Sequence, residues 1–196
     1  MVKFLLVLLF CLFCAAPAHA DVTLDVCSSS SSTSIVSLSW SHAGGTLTNG
    51  AIVVGVNLAS SARTVTSVTY NGVGLTQAHR QANGNLIAEL WRLIAPANGT
   101  NTVVVNLDAA GEIVSGACTF NGVDQTTPLA GVAGANAISL TITSTSGDIA
   151  IAAMAGNDFA FISSGTERWS AVPSSIDGSG ATIAGASPNV TISWTG

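Results

Sequence analysis

Outside its first twenty residues this chain has two histidines, His42 and His79, and its ten carboxylates are scattered. A general base or a metal centre needs a histidine within reach of a carboxylate or a second ligand, and at local spacing neither histidine has one. Both therefore read as strand-end or loop residues. Serine is abundant, but no Gly-x-Ser-x-Gly elbow occurs, so a serine hydrolase has no foothold in the linear sequence. An acid pair for glycoside hydrolysis would have to be assembled in space from Glu89, Asp108, Glu112, Asp124 and Glu167, and turn capping and solvation account for them more simply. Structural calcium would fall at the Asp124 loop or the Asp148 and Asp158 region, though no Asp-x-Asp-x-Asp loop is present. No catalytic residue and no cofactor is predicted, and a glycan-active enzyme is the least favoured reading.

Aromatic faces stack on sugars and dominate interfaces. Trp40 and Trp194 sit on apolar faces and are predicted core, whereas Trp169 lies in the polar stretch "SSGTERWSAVPSSIDGSG". Trp169, with Tyr70, is the candidate ligand contact. Cys27 and Cys118 are the cysteines left once the first twenty residues are removed, and they form either a disulfide or two separate buried thiols.

Those twenty residues have the parts of an export signal: Lys3, an apolar run over 4–14, and small residues ending in Ala18-His19-Ala20. Cleavage before Asp21 is expected, which makes the protein secreted, at the cell surface, extracellular or periplasmic. The apolar run is shorter than the roughly 20 residues a spanning helix needs, and no second such run follows, so no membrane span is expected after cleavage. Four arginines then face ten carboxylates with no lysine remaining. Nucleic acid is excluded as a partner, because its affinity comes from clustered Lys and Arg on phosphate. Charged residues are 8% of the chain and hydrophobic ones 48%, so the chain has a core to bury and a surface made mostly of Ser, Thr, Asn and Gly.

The elements that must position these side chains follow a period of two. In "AISLTITST", Ile138, Leu140 and Ile142 share one face; Val36, Leu38 and Trp40, then Val103, Val105 and Leu107, then Val190, Ile192 and Trp194 do the same. "AIVVGVNL" and "DIAIAAMA" read as more deeply buried strands. Asn49-Gly50, Asn71-Gly72, Asn83-Gly84, Asn98-Gly99, Asn121-Gly122 and Asp177-Gly178 punctuate them as turns. Many short strands so divided predict an all-β, antiparallel β-sandwich, jelly-roll-like, over 35–196. The segment "NLIAELWRLIA" is ambiguous: Leu86, Ile87, Leu90, Leu93 and Ile94 suit a helix, while a strand would put Glu89 among Ile87, Trp91 and Leu93. Residues 21–34 read as an N-terminal strand or an arm with "SSSSSTS" as a flexible tether.

The runs "VTYNGVGLTQ", "NGNLIAELWRLIAPANGTNTVVVNL", "VSGACTFNGVDQTTPL" and "NVTISWTG" resemble a domain of exported bacterial and environmental proteins, often within large surface proteins. The resemblance implies a jelly-roll sandwich without an established activity, and a strand over 86–94. Similar domains add one more strand where this chain stops, so either the chain is truncated or the sandwich has an unfilled edge. The echo between "TYNGV" and "TFNGV" is explained by two hairpin ends, without duplication.

The expected function is that of a non-catalytic secreted surface or matrix protein acting in adhesion or self-assembly, with itself or a cell-surface glycan or protein as partner. The alternative is a carbohydrate-binding module, which requires Tyr70 or Trp169 to be exposed on a platform.

Overall fold

The structure is a computed structural model and describes residues 21–60, 62–157 and 162–195. The predicted signal and Asp158 lie outside them. The described chain consists of strands β1 (Thr23–Ala43), β2 (Ala51–Leu58), β3 (Val65–Tyr70), β4 (Val73–Gly74), β5 (Thr76–Asn83), β6 (Leu86–Ile94), β7 (Thr100–Asn121), β8 (Ser139–Thr143), β9 (Ile149–Gly156), β10 (Ile162–Ser163), β11 (Thr166–Ala171), β12 (Asp177–Ala184) and β13 (Asn189–Thr195). All pairings are antiparallel, and the fold is an all-β sandwich, as the alternation predicts.

Two long strands organise it. β1 runs along one edge of β7 from Thr23↔Asn121 to Ala43↔Thr100, while the other edge of β7 pairs with β3 over its first half and β2 over its second. Between Ile35↔Gly111 and Ser37↔Asn106 the ladder advances two residues on β1 and five on β7. A bulge of this kind bends the strand that carries it. The two arms, β4–β3 and β2–β6–β5, fold toward each other into a nearly closed sheet. Its interior takes alternate residues from each strand, among them Ile52, Val54, Val56 and Leu58 of β2, with Val103 and Val105 of β7, all fully buried. Each such side chain stabilises the fold by about 1.5–3 kcal/mol relative to exposure.

Segment 86–94 is a strand, and the helix reading fails because both edges of β6 find partners, β2 and β5. The serine run is not a tether either: Ser28 to Ser32 pair with Ala117 to Ile113, hydroxyls on an edge strand needing no flexibility. β1 is thus a strand of its own sandwich. Asn71-Gly72 is the predicted tight turn, with both residues at positive φ and Tyr70 opposite Val73. Asn121-Gly122 ends β7 at a turn, with Gly122 at positive φ and its N–H donating to Thr48 O at 3.0 Å, but the next strand, β8, does not pair back on β7. Asp177-Gly178 is not a turn and opens β12 inside the ladder with β9.

The sheet β11–β12–β9 covers the outer face of β2 and β7, enclosing Val114, Cys118, Phe120, Trp169 and Ile176. The small sheet β10–β13–β8 packs on the far side of β9 and β12 through Ala152, Ala181, Ile192 and Trp194. Beyond the two stacked layers of a simple sandwich, the chain therefore builds a third. No helix among the described residues is long and apolar enough to cross a membrane.

Candidate functional site

Neither aromatic ligand candidate is exposed. Trp169 is 3% exposed, and a Cβ added to Gly55, Gly116 or Gly180 would overlap its indole, so three strands bare their backbones to receive it. The polar stretch around Trp169 hides this because the residues that bury it come from β2, β7 and β12. Tyr70 is 0% exposed, its hydroxyl donating to Gly99 O at 3.2 Å and accepting from Asn101 Nδ2 at 3.2 Å. A sugar platform of these two rings does not exist in this fold. Cys27 and Cys118 stand opposite each other on β1 and β7 and form a disulfide.

The fold does bring His42 to a serine and a carboxylate. Trp40 Nε1–H donates to Ser28 Oγ (2.9 Å) and Ser28 Oγ lies 2.7 Å from His42 Nδ1. His42 Nε2 lies 3.2 Å from Thr119 Oγ1, which donates to Asp25 Oδ2 at 2.8 Å. The donors run in one direction only if the histidine proton sits on Nε2. Serine, imidazole and a carboxylate beyond it form the arrangement of a base-activated nucleophile. Here every polar atom of the group is paired in sequence and His42 is 0% exposed. Burial pushes the His42 pKa down, and the Asp25 charge opposes the shift without cancelling it.

Three other carboxylates are also engaged. Glu89, 2% exposed on the inner face of β6, accepts from Trp91 Nε1 (2.8 Å), Arg80 Nε (2.9 Å) and Gln77 Nε2 (3.0 Å). Glu112 accepts from the Ser175 hydroxyl at 2.6 Å and from the Ser175 and Ile176 N–H groups. Burial pushes its pKa up, and the hydrogen bonds from Ser175 and the neighbouring backbone together outweigh that, so the pKa is lowered. Asp124 Oδ1 accepts from Thr126 and Thr127 N–H and fixes the turn after β7. Among the described residues no three of His, Cys, Asp and Glu gather closely enough to hold a metal ion.

What the fold leaves open is a cavity of about 600 Å³. One wall is the outer face of β6 with β5. The opposite side is β8 and β13, and residues 128–138 close it over. β9 pairs only with β12 among the described residues, so its free edge projects into this space. The lining is mostly aliphatic, as in Leu90, Ile94, Ile151 and Ile192, with Arg92, Asp148 and the amides of Gln81 and Asn136 among it. Among the described residues, the buried atoms Arg92 Nε and His79 Nε2 have no hydrogen-bond partner.

No family model, no curated protein and no solved structure matches this chain. The cavity is absent from the sequence expectations, as is Arg92. The signal that points to Arg92 is its place in "LIAELWRLI": Leu86, Ala88, Leu90 and Ile94 form one face of the strand, and Arg92 interrupts that face. The sequence leaves unsaid that this face meets a void in place of a second sheet.

Proposed function

We propose that this is an exported, non-catalytic binding protein that holds a small apolar ligand between its sheets. The supporting observation is the cavity: its volume falls within the roughly 300–1,000 Å³ of small-molecule sites, and its aliphatic lining with a few convergent polar groups is the usual composition of such sites. The test is the emission of N-phenyl-1-naphthylamine, which rises in a dry apolar site. Enhancement is expected with the unaltered protein and should vanish in Ala88→Trp, which fills the cavity from β6. No enhancement, or enhancement that survives the substitution, would sink the reading.

Self-association in a surface or matrix layer has one supporting observation of its own. β1 is 21 residues long and pairs only with β7 among the described residues, leaving its outer edge open to a strand from a second copy. Light scattering across a concentration series discriminates the two, since a monomer at every concentration removes self-association and leaves ligand binding intact.

A further inference from the structure

The cavity's charged side chains are Arg92 and Asp148, and His79 lies beside the arginine. Arg92 stands opposite Thr76 and His79 opposite Leu90, so the two side chains lie near one another where β5 meets β6. Gly134 presses on His79, where a Cβ would overlap the ring, so segment 128–138 roofs this end. The carboxylate in the lining, Asp148, accepts from Thr145 N–H at 2.7 Å and from the Thr145 hydroxyl at 3.1 Å, closing the turn before β9.

A guanidinium among aliphatic side chains carries a desolvation cost that an anion with two coplanar oxygens relieves by bidentate hydrogen bonding. In an apolar site that attraction is stronger than at a wet surface. A neutral head offers the Arg92 fork a single uncharged acceptor, and a cationic head offers it none. The rest of the lining selects for hydrocarbon. At about 30 Å³ for each water-sized group, the cavity has room for a chain of a dozen carbons.

Building on the apolar-ligand reading above, we propose that the cavity binds a medium-chain fatty acid, with its carboxylate on Arg92 and its alkyl chain among the aliphatic residues of β6, β9 and β13.

Calorimetry at pH 8, below micellar concentrations, tests this with dodecanoate, dodecanol and dodecyltrimethylammonium. Dodecanoate is expected to bind at least tenfold more tightly than dodecanol, and the cation most weakly. Shortening dodecanoate to decanoate should weaken binding about fifteenfold, the loss of two buried methylenes. Arg92→Met should reduce the preference for dodecanoate over dodecanol below threefold. Equal affinity for dodecanoate and dodecanol in the unaltered protein overturns the fatty-acid assignment alone, whatever the variant does. A preference that survives Arg92→Met removes Arg92 as its cause. If none of the three binds, the apolar-ligand reading fails with it.

Discussion

A single proton decides how His42 fits its surroundings. With that proton on Nε2 the chain from Trp40 to Asp25 is satisfied throughout, and a second proton on Nδ1 would set a donor against the Ser28 hydroxyl that already donates there. Because burial lowers the folded pKa below the unfolded value near 6.5, the unfolded chain takes up a proton first as the solution is acidified. The stability contributed by neutral His42 is therefore fully present above pH 6.5 and is lost as pH falls from there through the folded pKa. Thermal midpoints between pH 7.5 and 5 should fall across this window in the unaltered protein, and the fall should flatten in His42→Gln. An unchanged slope would show that His42 does not carry the effect. None of this is visible in the linear sequence, where His42 is 14 residues from Ser28 and 77 from Thr119; the ladder pairs His42 with Asn101 and Ser28 with Ala117, so the group is assembled by the β1–β7 ribbon folding back on itself.

The strands show where sequence patterns suffice and where they mislead. Ser139–Thr143 and Asn189–Thr195 appear where alternation predicts them, and Asn71-Gly72 turns where positive φ is required. These signals are local, set by one strand's two faces or one turn's torsions. Failures come where a partner strand supplies the meaning. Asp177-Gly178 has the composition of a turn, yet Gly178 pairs with Ala155 in a strand, and it is glycine because Val114 occupies the space a Cβ would need. Trp169 reads as exposed from its neighbours in sequence and is buried by glycines far away. From that burial follows a prediction about the layers: Gly116→Ala drives a methyl into an indole already confined by Gly55 and Gly180. The cost should be about 1–3 kcal/mol, read as a lower urea midpoint at unchanged slope. An unaltered midpoint would mean that the layers do not approach this closely.

At the scale of the molecule, β1 and β7 are joined twice, by their ladder and by Cys27–Cys118, which closes a span of 91 residues. A loop of that length restricts the unfolded chain by about 4–5 kcal/mol. The Cys27→Ala, Cys118→Ala double variant should lose roughly that much in urea unfolding, with a steeper slope as its unfolded state opens further. Equal stability of the two proteins would locate the restraint elsewhere. Charge is sparse across the molecule, with charged residues making up 8% of the chain.

The bridge also determines how tension would travel through this protein. Pulled from its N-terminus, β1 could peel from β7 only as far as Cys27, where the covalent link hands the load across to Cys118. Everything between the two cysteines, which includes both arms of the barrel-like sheet, would then stand outside the line of force. A pull on either end would be borne by the residues after Cys118, and the enclosed core would stay folded until the sulfur bridge was reduced.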